Sequence, residues 1–318
     1  PAPPEATSRS TPPPPPERPG FGPPAPSQRP PPPPPPPPIA DMSADTIPAS
    51  PSFQPDSQWT LLLRDVSSSA RLWRLWTHLG WGDILKQYRR SFLGPIWITL
   101  NSAIFIVVFS LIGAQLFNLP LDSYLSYFCL GHVFFSFFTA TVNEGCQTYI
   151  ASEAFLKQTP YPKMVFVFRL LWRNLIMLVH NAPIVLGVLW WSGLLGTVQL
   201  GWWLLGLSLT VASASLAVAL LGALAARFRD VPMIVTSLMQ ISFFVTPVMW
   251  QAQQLTERAQ IVVHSNPLAA YLELLRAPLL GHPPSPHALG MAAGMLVLLG
   301  GLFLLSYVKV RRRIVYWL

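Results

Sequence analysis

Residues 96–117 carry no charge, and Arg89 and Arg90 stop just short of this run. At ~1.5 Å per helical residue it reaches roughly 33 Å, enough for a hydrocarbon core of ~30 Å. Pro95 sits where the helix would start, and proline suits the first turn because its missing N–H has no partner there. Five more runs of this kind follow, at about 124–142, 170–195, 202–226, 231–250 and 288–308. In the third, Arg169, Arg173 and Asn174 precede or open the crossing, which places them near a membrane–water boundary.

Two stretches break this rhythm. Over residues 57–93, apolar Leu72, Leu75, Trp76 and Leu79 alternate with Arg71 and Arg74, Gly80 and Gly82 interrupt, and Ile84, Leu85, Tyr88 and Phe92 oppose Lys86, Arg89 and Arg90. Tryptophans beside basic residues on such a pattern suit an amphipathic helix lying at the bilayer interface. Over residues 251–287 the pattern is too short and too interrupted to cross twice. Asn266-Pro267-Leu268 reads as a helix start, and Tyr271, Leu272, Leu275 and Leu279 form a stripe. This predicts a short helical hairpin, re-entrant or on the surface, shielded by protein.

The expected fold is therefore an all-α membrane protein. It has six transmembrane helices, an amphipathic interface helix before the first, and a short outer hairpin between the fifth and sixth. Basic clusters at 86–90, 157–173, 227–229 and 309–313 fall on one side of such a fold, with only Arg258 and Arg276 on the other. Positive residues mark the cytoplasm, so both termini are expected there. The chain divides into a disordered proline-rich tail (1–56), an interface segment (57–93) and a membrane domain (94–318). The tail holds unbroken proline runs at 12–16 and 30–38 and no apolar stretch of signal-peptide type. It reads as a polyproline tether that could also dock a proline-binding domain.

Composition agrees. The chain is 51% hydrophobic and only 11% charged, against ~25% charged in soluble domains. Its excess of 21 Lys and Arg over 13 Asp and Glu lies beside apolar runs, which points to membrane orientation rather than nucleic acid. Cys129, Cys146 and the six histidines show no metal-ligand or disulfide spacing. No Walker A loop, His-Glu-x-x-His or Gly-x-Ser-x-Gly occurs, and the runs hold almost no carboxylate. Ion-coupled carriage needs an intramembrane acid or broken helices, so a separate source of energy is expected.

Six segments, in order, resemble the permease subunits of type 2 ABC exporters for lipid-linked polysaccharides such as O-antigen, capsule and teichoic acid. They are the run Tyr88-Arg89-Arg90-Ser91-Phe92-Leu93-Gly94-Pro95-Ile96-Trp97; Asn143-Glu144-Gly145 with Phe155-Leu156-Lys157-Gln158; Trp172-Arg173-Asn174-Leu175-Ile176; Ala226-Arg227-Phe228-Arg229-Asp230; Thr246-Pro247-Val248-Met249; and Asn266-Pro267-Leu268. The resemblance reaches from about Trp81 to the end, and the proline-rich tail has no counterpart in it.

That resemblance implies a homodimeric permease, not itself an enzyme, in the bacterial inner membrane. ATP and magnesium would be bound by a separate ABC ATPase subunit and no cofactor by this chain. The loop after the second span would seat on the ATPase, with Glu144, Glu153 and Lys157 in it. The hairpin would lie near the outer exit. The substrate would be a glycan on an undecaprenyl pyrophosphate carrier, with Arg89 and Arg90 as contacts for pyrophosphate or anionic headgroups. Two alternatives remain beside this one: a type 2 exporter of lipids or drugs, and a membrane scaffold that binds partners through its tail. A glycan slides best along aromatic rings with few charges. Trp97, Tyr127, Phe134, Phe138, Phe243, Phe244 and Trp250 are the candidates for such a path, with spans one and five of two subunits facing each other around it.

Overall fold

A computed structural model describes residues 58–89, 94, 96–159, 161–254, 256–307, 310 and 313–318. The proline-rich tail and Arg90 lie outside these residues. Every regular element among the described residues is helical. In chain order they are α1 (Gln58–Arg71), α2 (Trp73–Tyr88), α3 (Ile96–Leu116), α4 (Leu121–Gln147), α5 (Glu153–Gln158), α6 (Met164–His180), α7 (Ala182–Trp191), α8 (Leu200–Arg227), α9 (Val231–Val245), α10 (Glu257–His264), α11 (Pro267–Arg276), α12 (Pro286–Leu302) and α13 (Ile314–Trp317).

Five helical stretches are long and apolar enough to cross a membrane: α3, α4, α6 with α7, α8, and α12 with the π-helical turn Phe303–Tyr307. The sixth expected crossing is shorter. α9 has 15 residues, or ~22 Å, and stops at Val245. Pro247 explains the stop, because a residue before proline is driven from helical to extended backbone, and Thr246 is extended. The third crossing starts earlier than its hydropathy suggests, at Met164, and runs to Trp191 with a break at Asn181, where Pro183 opens α7. The second crossing, expected to end at 142 with Glu144 in the loop after it, continues as helix to Gln147, so Glu144 lies on α4.

α4 is the central element. It packs against α3, α6, α7, α8, α9 and α11, and it is the only one of the five stretches that is mostly buried. Its crossing with α8 is made by small residues. A Cβ at Gly145 would meet Val218 Cγ2 at 2.9 Å, and one at Gly222 would meet Gly145 O at 3.1 Å. Close backbone approach is how membrane helices gain dispersion energy where lipid offers no hydrophobic drive. Phe134, Leu272 and Leu275 centre the core at the end of the bundle that holds α10 and α11. Tyr149, Phe166 and Tyr307 centre it at the opposite end.

The expected interruption at Gly80 and Gly82 does not occur. α2 runs through both, and the break lies at Leu72 instead. Gly80 is buried because α2 lies against α6: a Cβ there would come 3.1 Å from Arg169 O and 3.0 Å from Trp172 Cδ1. Trp76 adds an edge contact to Trp172 at 6.0 Å. The expected hairpin is present as α10 and α11. Asn266 caps α11 by accepting from Leu268 N at 3.0 Å, and Ala269–Leu272 and Leu274–Leu275 are buried.

Candidate functional site

Two arginines on one apolar helix need anions, and the fold brings one from each of two other helices. Arg169 and Arg173 are four residues apart on α6 and so share a face. Asp83 on α2 receives a bidentate pair from Arg169, with Nε at 2.7 Å and Nη2 at 2.5 Å. Glu144, in the last turn of α4, receives Arg173 Nη2 at 2.6 Å. Arg173 Nη1 also stands 3.9 Å from Asp83 Oδ2, which joins the pairs into one chain of charge across three helices. Asp83 is 15% exposed and the arginines 17% and 24%, so these pairs are partly shielded from water, while Glu144 at 43% is not. Two guanidiniums face two carboxylates, so the cluster is neutral and holds helices together.

The Glu144–Arg173 pair separates two cavities. One, about 420 Å3, also holds Asn143, Thr148, Arg169 and Thr236. The other, about 230 Å3, holds Gln87, Tyr88, Ser102 and Asn181. Thr236 on α9 lies 3.4 Å from Asn143 Oδ1, so α9 reaches the same site.

α5 stands beside it. Leu156 is buried and fastens the short helix to the bundle, whereas Glu153 and Lys157 form an exposed pair at 2.6 Å, one turn apart. The hydrogen bond from Lys157, and then its charge, hold the Glu153 carboxyl below its ordinary range. α13 packs against α5 and α8, with Arg227 stacked 5.0 Å over Trp317. Asp65 on α1 is tied in nearby. Its Oδ1 accepts from Lys163 N at 3.1 Å, and Tyr307 Oη lies 3.5 Å from its Oδ2 and 3.3 Å from Tyr149 Oη.

The sequence-predicted residues are therefore divided. Glu144 lies in the ion cluster, Glu153 and Lys157 on the exposed helix beside it, and Arg89 is exposed just after α2. The seven aromatics are not brought together. Phe134 and Phe138 are buried in the core. Tyr127 donates to Pro247 O and Trp250 O, and Trp250 Nε1 donates to Phe244 O, so Tyr127, Trp250, Phe244 and the adjoining Phe243 gather near the end of α9. Trp97, on α3, is half exposed. Sequence reasoning missed Asp83 and did not see that Arg169 and Arg173 are paired. The usable signal was the four-residue spacing of two arginines in an apolar helix, which demands acids from elsewhere. Among the described residues no group of three or more His, Cys, Asp or Glu side chains is placed to hold a metal ion.

The chain is similar to proteins named O-antigen export system permease protein RfbA. The one from Myxococcus xanthus is 24% identical over 228 residues, covering 68% of this chain and 85% of that protein. One from Klebsiella pneumoniae is 19% identical over 191 residues, covering 60% and 74%. A family profile described as ABC-2 type transporter matches residues 74–280, a span that starts in α2, includes the ion cluster, α5 and the α10–α11 hairpin, and ends before α12. With more than half of its 318 residues matched, the chain belongs to the ABC-2 type transporter family and is a multi-pass membrane permease.

Proposed function

We propose that the chain is the permease of an exporter that moves a lipid-linked polysaccharide across the bacterial inner membrane, driven by a separate ABC ATPase. The observation that carries this reading is the similarity, across most of their length, to permeases named for O-antigen export. Two copies would form the conduit. The apolar faces of α3 and α9 support that pairing: Ile96, Ile112, Met233 and Phe244 are each at least 60% exposed, against lipid or a second copy. Six crossings, with both termini in the cytoplasm, fit the arrangement if α9 and the residues after it make the fifth.

In this reading the charged end faces the cytoplasm and α5 seats on the ATPase. Movement of α5 would reach α4 through the intervening turn. Glu144 would pass it to α6 through Arg173, and Asp83 would pass it to α2. Arg89, with Arg90 beside it in sequence, would meet the pyrophosphate or anionic headgroups at the membrane surface. Trp97 and Phe244, the exposed members of the aromatic set, remain the best candidates for a path between copies, while Phe134 and Phe138 serve packing.

Export itself is the test. Cells lacking the chain are expected to show no long glycan at the surface and to regain it with the wild-type chain. Trp97→Ala and Phe244→Ala should restore it slowly at normal expression. Surface glycan without the chain would overturn the function. Wild-type export by both variants would move the path elsewhere. Topology is checked separately: cysteines at Asp122 and Gly196 should react with an impermeant thiol reagent from outside, and one at Arg229 should not. Labelling at 229 from outside would invert the reading.

A further inference from the structure

At the opposite end of the bundle from the ion cluster lies a cavity of about 390 Å3, between the α10–α11 hairpin and the start of α4. That volume is within the range of small-molecule sites, ~300–1,000 Å3. Its wall contains Arg276, which is only 8% exposed. The guanidinium is stacked 3.8 Å from the centre of the Tyr127 ring, and its Nη1 donates to Pro247 O at 2.8 Å. Among the described residues it forms no ion pair. Glu273, one turn earlier, lines the same cavity, but its Oε1 is committed to Ser285 N at 2.8 Å. Arg169 and Arg173 each have a carboxylate within 2.6 Å, and Arg276 has a carbonyl and an aromatic face.

A guanidinium has five N–H donors in a plane and matches a carboxylate two at a time. A buried one with no carboxylate in contact leaves donors unmet, and Glu273 offsets its charge only from a distance, so an anion that enters beside it supplies the missing contact. The rest of the lining mixes apolar walls, chiefly alanines and prolines, with a few polar groups that suit hydroxyls, among them His282 and Ser285. His264 and His287 stand with their rings 5.1 Å apart at the cavity, and Glu273 retains a second oxygen.

We propose that this cavity binds a saccharide unit bearing a carboxylate, with Arg276 holding the carboxylate while Glu273, His264 and His287 meet the hydroxyls. The inference rests on the glycan-export reading and narrows it, since the hairpin would then select for an acidic sugar. Arg276 is a binding residue here, and Tyr127 positions it by covering one face of the guanidinium.

The test uses the full chain in lipid nanodiscs and saturation-transfer NMR, with methyl β-D-glucuronide and methyl β-D-glucoside as probes. The glucuronide is expected to give at least ~5-fold more transfer than the glucoside, as a charge-assisted contact would produce. Arg276→Gln should abolish the difference. Ala252→Phe, which adds a ring to the cavity wall and leaves Arg276 in place, should reduce glucuronide transfer as well. Equal transfer from both sugars, or unchanged glucuronide transfer in Ala252→Phe, would overturn the proposal. Acetate competing as strongly as the glucuronide would also overturn it, by showing an anion site without sugar recognition. If Arg276→Gln does not fold, Ala252→Phe decides. Because the readout is binding, these failures leave the export reading standing, and that reading fails only if the chain proves dispensable for surface glycan.

Discussion

Gly206→Val is expected to remove the folded chain from the membrane. Gly206 lies on α8 where it meets α11, and a Cβ there would sit 2.6 Å from Leu274 O, 3.0 Å from Leu274 C and 3.1 Å from Leu274 Cβ. Two of these three atoms are backbone, and α11 is pinned by its buried Leu272, Leu274 and Leu275. No side-chain rotation can make room, so α8 and α11 must move apart. Overpacking typically costs ~1–3 kcal/mol where side chains can adjust, and a backbone contact places this case at or above the upper end. Gly201→Val is the matched control, because a Cβ at Gly201 meets nothing within 4 Å on the same helix. Fluorescence-detected size exclusion after a heating series should show the 206 variant aggregated at temperatures where the 201 variant and wild type remain monodisperse. A Gly206→Val protein that melts with wild type would mean that α11 is not seated on α8 as described.

Exchanging Glu153 and Lys157 is expected to cut export by at least ~10-fold while the chain stays at wild-type levels in the membrane. The reasoning separates folding from docking. The pair is exposed and one turn apart, so E153K/K157E keeps an ion pair on the same face and only reverses its order. Helices weakly prefer the acid first, so the change in stability is small. Leu156, which fastens α5 to the bundle, is untouched. A partner that reads the helix from outside meets an inverted pattern, and like charges set opposite each other in a contact disfavour it strongly. Hydrolysis of ATP by the partner should continue or rise while glycan no longer appears at the surface. Normal export in the exchanged protein would show that α5 is not the seat of coupling, and loss of the protein itself would show that the pair is structural. Low pH is a weaker probe of the same pair. Lys157 depresses the Glu153 carboxyl, so the contribution of the pair is present above the ordinary glutamate range and fades as pH falls through the lowered value.

The elements differ in how far they could be read from the chain. The run at 96–117 and its helix Ile96–Leu116 agree to one residue at the far end, because an uninterrupted apolar stretch bounded by Arg90 and Asn118 leaves little choice. The third crossing could not be bounded this way. Arg169 and Arg173 argue locally for an interface, yet the helix passes through them from Met164, because Asp83 and Glu144 supply their charge from other helices. The glycines at 80 and 82 read locally as a break, yet α2 runs through both, and Gly80 lets it press against α6, where a methyl group would collide with Arg169 O. For the aromatics, type alone does not say which face of a helix turns inward. Phe134 and Phe138 are core, and Phe244, with a similar apolar neighbourhood in the chain, is exposed.

The sequence by itself determined that this protein is helical, lies in a membrane, and belongs with the permeases. Those properties depend on sums over neighbouring residues: the length of an apolar run, the side on which lysine and arginine collect, and short segments in a set order. Only the tertiary structure decided which charges are neutralised and which are left open. Asp83 and Arg169 are 86 positions apart and meet at hydrogen-bond distance, whereas Glu273 and Arg276 are neighbours on one helix that form no ion pair. The physical reason is that charge compensation depends on distance in space, which falls off as soon as helices separate, and the order of residues along the chain does not encode that distance.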